Sequence, residues 1–208
     1  MTPSRVLFCS LAVLLTACSG ASERPAPDAA PAATAAADPS TLGTVSGAVA
    51  NAAPGTIVVL TPKDAASLPG PATQPSMDQI QMTFVPDMLF ARSGYPVAFK
   101  SNDTEMHNIN VRNPEKTAPE FNRSIPPGVT FEHTFTEAGY YDIRCDIHPA
   151  MSASIFVSAS PFTQAAGEGG AYRFEQVPPG DYTLAIYNGP TTTETPVTVT
   201  AGVNRVGP

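Results

Sequence analysis

Seven residues in the second half of the chain, "CDIHPAM" from Cys145 to Met151, gather a thiol, an imidazole and a thioether at the spacing C-x-x-H-x-x-M. A second imidazole, His107, stands upstream in "SNDTEMHNI", after the turn-forming pair Asn102 and Asp103. Thiolate and thioether are soft donors and imidazole is intermediate, so these four side chains together suit a soft transition metal. Taken singly, His107 reads as a turn histidine, Met151 as a core residue entering a strand, and Cys145 as a small buried hydrophobe. Only the combination makes a site.

Trigonal His₂Cys with a long axial Met is the blue-copper arrangement, in which thiolate and thioether favour Cu(I) while imidazole tolerates Cu(II). Neither oxidation state then has its preferred geometry, and little reorganises when an electron moves. The chemistry expected is electron transfer without bond making, hence no enzyme. With only three histidines in the chain a multicopper oxidase cluster cannot be built, and Cys145 alone cannot supply the two bridging thiolates of a binuclear centre. A Cys/His₂ set also accepts Zn²⁺, which leaves the metal open on residues alone. The same four ligands would equally serve a copper-handling protein that stores, buffers or delivers the ion.

Strands must position these residues. After Leu42 nearly every segment is a short β-rich run between Gly/Pro turns: "TVSGAVA", "TIVVLTP", "IQMTF", "GYPVAFK", "VTFEHTF", "YYDIRC" and "SASIFV". The 23 prolines and 15 glycines fit many turns, and no window has helical periodicity. The expected fold is all-β, built of sandwiches. "IQMTF" is expected to place Ile80, Met82 and Phe84 on one strand face, which makes Met82 a core residue rather than part of a methionine-rich Cu(I) site with Met77 and Met88. His133 in "TFEHTF" alternates with Phe131 and Phe135 and is expected to be structural. Glu137, Asp142 and Asp146 read as solvated charges.

The stretch from "IQMTFVPDMLFARSGYPVAFKSNDTEMHNINV" through "FTEAGYYDIRCDIHPAMSASIFV" resembles plastocyanin-like and amicyanin-like cupredoxins, in its F-x-P, G-x-x-V-x-F, H-N and G-x-Y-x-x-x-C-x-x-H-P-x-M elements. The resemblance implies a Greek-key sandwich holding one type 1 copper on His107, Cys145, His148 and Met151. It also implies that the Asn108 N–H donates to the Cys145 sulfur, that the Asn108 side chain ties the two ligand loops, and that His148, beside Pro149 and Ala150, is the electron port. The chain departs from its relatives at Ala150, often a bulky aromatic, and at Ile109 and Asn110, where an aromatic is common; both places are expected near the docking surface.

"GGAYRFEQVPPGDYTLAIYNG" reads as strand, Pro-Pro-Gly turn, strand, with Tyr172 and Phe174 answering Tyr182, Leu184 and Ile186 across the turn. It resembles the carboxypeptidase regulatory-like, or transthyretin-like, sandwich, without the zinc motif of a peptidase. In combination with the cupredoxin-like stretch, the chain is similar to bacterial methylamine-utilisation-type proteins. The domain reading is 42–76 for opening strands of that module, 77–158 for the cupredoxin domain and 159–208 for the remainder. The early strands could also belong to the middle domain.

The N-terminus completes the reading. Arg5 and "VLFCSLAVLLTA" form a secretory signal over residues 1–17, and "LTAC" resembles a lipobox that makes Cys18 the lipidated N-terminus. Ser19 then favours the outer membrane, and residues 18–41, rich in Ala and Pro, form a disordered tether. Without Arg5, ten basic residues face eighteen acidic ones. That balance argues against nucleic acid and against electrostatic docking on anionic lipid, which leaves the N-terminal lipid as the expected membrane contact. The expected carrier is periplasmic, exchanging electrons with a redox protein such as a cytochrome or a dehydrogenase.

Overall fold

The computed structural model describes residues 38–64, 68 and 70–206. The signal, Cys18 and residues 18–37 of the tether lie outside the described residues. The tether's last residues carry a 3-10 turn, Pro39–Thr41, because the Asp38 carboxylate accepts from the Ser40 N–H at 2.9 Å and its hydroxyl at 2.8 Å. Beyond it, the described chain is built on strands and contains no α-helix.

Among the described residues, the first two strands, β1 (Gly43–Ala48) and β2 (Ile57–Pro62), pair with no strand from the middle of the chain. The next nine form a sandwich of their own: β3 (Ser76–Ile80), β4 (Thr83–Val85), β5 (Met88–Arg92), β6 (Pro96–Ser101), β7 (His107–Arg112), β8 (Phe121–Ile125), β9 (Thr130–Thr134), β10 (Gly139–Arg144) and β11 (Ser152–Ser158). One sheet runs β4-β3-β6-β9 and the other β5-β11-β10-β7-β8. Alternation sends Ile109 and Val111 of β7, and Tyr141 and Ile143 of β10, into a core shared with Met77, Phe84, Val97, Phe99 and Ile155, and buries His107 at the head of the same series. Cys145 is the next inward position after Ile143. The strand pattern thus carries the thiol to the end of the core.

Five strands follow: β12 (Thr163–Ala165), β13 (Ala171–Val177), β14 (Gly180–Asn188), β15 (Thr191–Val199) and β16 (Gly202–Arg205). They take up the first two, in sheets ordered β13-β1-β16 and β12-β2-β14-β15. Val45, Val58, Leu60, Tyr172, Phe174, Tyr182 and Leu184 fill the space between these sheets. β13 and β14, on either side of the Pro-Pro-Gly turn, therefore lie in different sheets. Tyr172 and Phe174 meet Tyr182 and Leu184 from opposite sheets, because the turn carries the chain from one layer to the other.

The "IQMTF" reading needs correction. Gln81 and Met82 have φ of 50° and 55°, the paired positive values of a tight two-residue hairpin turn, so β3 and β4 are separate strands. The reversal leaves Met82 55% and Ile80 40% exposed while Phe84 stays buried. Met82 is not a core residue. Met77 is in the middle core and Met88 lies elsewhere, so the three methionines do not form one cluster.

The two sandwiches share a third apolar layer, in which Ile57, Val59, Ala185 and Tyr187 of one meet Met88, Phe90 and Phe156 of the other. Phe156 and Tyr187 pack edge to face at 5.0 Å. Each sandwich also contains a tyrosine that donates to the carbonyl four residues back: Tyr141 to Glu137 at 3.1 Å and Tyr182 to Pro178 at 2.7 Å. A glycine stands two residues before each, with φ of 149° at Gly139 and 152° at Gly180, where a side chain would be strained. Phe156→Ala is expected to cost about 3 kcal/mol or more, the range for removing a buried phenylalanine. Denaturant unfolding of the metal-free protein measures it, and a loss below about 1 kcal/mol would show that the layer does not couple the sandwiches.

Candidate metal centre

The centre sits where β7 begins and β10 ends. His107 Nδ1 lies 3.0 Å from His148 Nδ1, and Cys145 Sγ lies 3.9 Å and 3.7 Å from these two nitrogens. A triangle of this size suits donors held roughly 2.0–2.3 Å from a shared centre. His107 and Cys145 are buried, His148 is half-buried, and the three form a group able to hold a metal ion. Met151 is buried in the same core as Cys145. Its N–H donates to the His148 carbonyl at 2.9 Å, and its carbonyl accepts from the Cys145 N–H at 3.2 Å, which closes the loop between β10 and β11. The structure thus brings His107, Cys145 and His148 together and places Met151 at the loop's closure.

The orientation of His107 has a cause that the sequence reading missed. Its Nε2–H donates to Asp103 Oδ2 at 3.1 Å, which leaves Nδ1 as the unprotonated nitrogen facing Cys145 and His148. The same carboxylate oxygen accepts from the Met82 N–H at 2.7 Å, and Oδ1 accepts from the Thr104 N–H at 2.8 Å. The Met82 bond, with Thr104 and His107 adding to it, holds the Asp103 carboxyl down at about 2 against an ordinary 3.8. The exposed hairpin turn at Met82 is in this way connected to the imidazole. The i, i+4 spacing of Asp103 and His107 was visible in the sequence, but the Asn-Asp pair was read only as a turn.

Asn108 joins the two loops: its Oδ1 accepts from the Asp146 N–H at 2.7 Å, and its Nδ2 donates to Asp146 Oδ2 at 2.8 Å. Asp146 is a correction. Its carboxylate also accepts from Asn110 and Asn122, so it is an organising group of the site and not merely a solvated charge. Its pKa is lowered by the side-chain hydrogen bond from Asn110 first, then by those from Asn122 and Asn108. Beneath this layer the buried Gln79 amide donates to the Asn108 carbonyl at 3.3 Å.

Ile109 and Asn110, expected near the docking surface, are buried, because β7 turns the first into the core and Asp146 holds the second. Pro149 and Ala150 are exposed beside His148, and Met106 and Ile147 are about half-exposed. His133 makes the structural contacts expected of it, a hydrogen bond with Glu120 at 3.0 Å and ring contacts with Phe121 and Phe135.

Residues 72–158 match the model of the copper binding proteins of the plastocyanin/azurin family. The match assigns that segment, under half of the chain, to a cupredoxin domain. No curated protein matches the chain. Among solved structures, a purple cupredoxin from Nitrosopumilus maritimus is 25% identical over 41% of this chain and 100% of that one, with a TM-score of 0.38. Amicyanin from Paracoccus versutus is 21% identical over 48% and 97%, with a TM-score of 0.38. A copper-containing nitrite reductase from Thermus scotoductus is 23% identical over 45% of this chain but only 26% of that one, with a TM-score of 0.39.

With the Cys/His/His donor set, the family match makes copper the metal of this site and the protein a blue copper protein. The lowered pKa of Asp103 carries a testable sign. Its ionised form contributes stability that is fully present above about pH 4 and is lost as the pH falls toward 2, the value in the folded protein. Acid unfolding of the metal-free protein should show wild type more resistant than Asp103→Asn at pH 5, with the gap closing toward pH 2. A gap that stays constant would remove Asp103 from the account.

Proposed function

We propose that this protein is a lipid-anchored periplasmic carrier of single electrons, in which His107, Cys145, His148 and Met151 would hold copper. The observation that carries the reading is the convergence of two Nδ1 atoms and one thiol within 3.9 Å, with the His107 ring held by Asp103 and the Cys145–Met151 loop closed by backbone hydrogen bonds. Bound copper supplies a one-electron couple. The protein contributes the constancy of the donors: Asp103 fixes the tautomer and the angle of the His107 ring, Asn108 joins the loops, and the Cys145–Met151 backbone contact fixes their closure. A site held this firmly has little to rearrange between oxidation states.

Cys145 is the sole free cysteine among the described residues and is buried, which suits a thiolate protected from oxidation rather than a reactive one. The half-exposed His148 ring, beside the exposed Pro149 and Ala150, is the route by which an electron passes to a periplasmic redox partner such as a cytochrome or a dehydrogenase. The anchoring reading rests on the lipobox-like "LTAC" and on the Ala/Pro composition after Cys18, with Ser19 directing the lipoprotein to the outer membrane. The sandwich of β1, β2 and β12 to β16 is read as a transthyretin-like support, supported by its strand–Pro-Pro-Gly–strand sequence.

Copper titration of a metal-free soluble form beginning after Cys18, followed by visible absorption and electron paramagnetic resonance, tests the reading. An intense thiolate-to-copper band with narrow hyperfine splitting is expected, and Cys145→Ala is expected to abolish both. An ordinary Cu(II) spectrum, or rapid surrender of Cu(I) to a chelating acceptor, would move the protein to copper storage or delivery.

A further inference from the structure

Asp146 directly follows Cys145, and its carboxylate is held by three asparagines from two strands. Asn108 Nδ2 donates to Oδ2 at 2.8 Å, Asn110 Nδ2 to Oδ1 and Oδ2 at 3.0 and 3.2 Å, and Asn122 Nδ2 to Oδ2 at 2.9 Å. The Asp146 N–H alone, bonded to Asn108 Oδ1, already joins the loops. The additional donors serve the carboxylate itself. All three are neutral amides, which fix a negative charge in place without cancelling it. Arg112, also on β7, adds a weaker electrostatic attraction to the carboxylate.

Asn110 shows that the charge dictates the arrangement. The residue is only 7% exposed, and its Oδ1 is buried without a partner. An orphaned buried oxygen costs free energy, so the amide keeps this orientation because turning it would aim an oxygen at a carboxylate. An anion at position 146 accounts for that preference.

We infer that Asp146 is a positioning residue with two effects: it fixes the Cys145–Met151 loop before metal arrives, and it sets a permanent negative charge beside the thiolate that lowers the copper reduction potential. The second effect follows from Coulomb attraction, which favours the more positive, oxidised state of the site. The inference rests on the proposed copper-holding set. The loop effect is read without metal.

The experiment compares wild type with Asp146→Asn, Asp146→Ala and Asn122→Ser. Asp146→Asn preserves size and removes the charge. It is expected to raise the reduction potential of the copper-loaded protein while the thiolate-to-copper band stays in place. Asn122→Ser, on the exposed face of β8, removes one donor, keeps the charge and is expected to shift the potential less. In the metal-free protein, Asp146→Ala should speed hydrogen exchange at the Asp146 and Met151 N–H groups at least tenfold relative to wild type. An unchanged or lower potential in Asp146→Asn would overturn the electrostatic effect, and unchanged exchange in Asp146→Ala would overturn the positioning. If wild type fails to give the thiolate-to-copper band, the copper reading is what fails, and the metal-free exchange still decides whether Asp146 holds the loop.

Discussion

The hydrogen bond from the Asp146 N–H to Asn108 Oδ1 joins two pieces of chain that meet only because of the fold. One begins β7 with His107; the other leaves β10 with Cys145 and returns to β11 after Met151. At 2.7 Å, partly buried and supported by the other asparagine contacts of Asp146, it fixes the distance between the first imidazole and the thiol without any metal. A donor set assembled by the polypeptide keeps the shape the polypeptide imposes, whereas one assembled by a metal takes the shape the metal prefers. The rest of the site depends on this difference. Asp103 orients one ring, and the Cys145–Met151 contact sets the width of the loop, but both act on parts already brought together.

The strands explain why the parts meet. Alternation on β7 and β10 directs one series of side chains inward, and the centre lies where both series end. The neighbouring outward positions of β7, Asn108 and Asn110, are close enough to Asp146 to bond it. A single register therefore supplies the ligands on one face of the sheet and their support on the other. A slip of one residue in β7 would exchange His107 for Asn108 and lose both.

Much of this was legible in the residues. The C-x-x-H-x-x-M spacing with His107 pointed to the convergent donors, because metal chemistry restricts residue type and spacing together. The β-rich runs and the abundance of turn residues pointed to the all-β class. Besides the contact of Asp103 with His107, three features escaped. The hairpin at Gln81 and Met82 uses positive φ without glycine or asparagine, so no punctuation marked it and the period-two pattern ran straight through. The layer change between β13 and β14 looks in sequence like a hairpin, since a Pro-Pro-Gly turn does not specify whether the next strand stays in the sheet. The part played by Asp146 depends on Asn108, Asn110 and Asn122, whose assembly is tertiary, and an acidic residue in a loop looks solvated until its partners are placed.

The pairing of β1 has a mechanical consequence. It lies between β13, antiparallel, and β16, parallel, and both ladders run along its length. A pull on the chain ahead of Gly43, directed along the strand, loads these two ladders in shear, with their bonds sharing the force rather than opening one at a time. The copper-binding sandwich is spliced in between β2 and β12, which pair with each other, and Leu60 and Phe162 are hydrogen-bonded where the insertion begins and ends. Tension entering at β1 and resisted at β13 and β16 therefore bypasses the insertion, and the donor geometry is unloaded while the chain ahead of it is stretched.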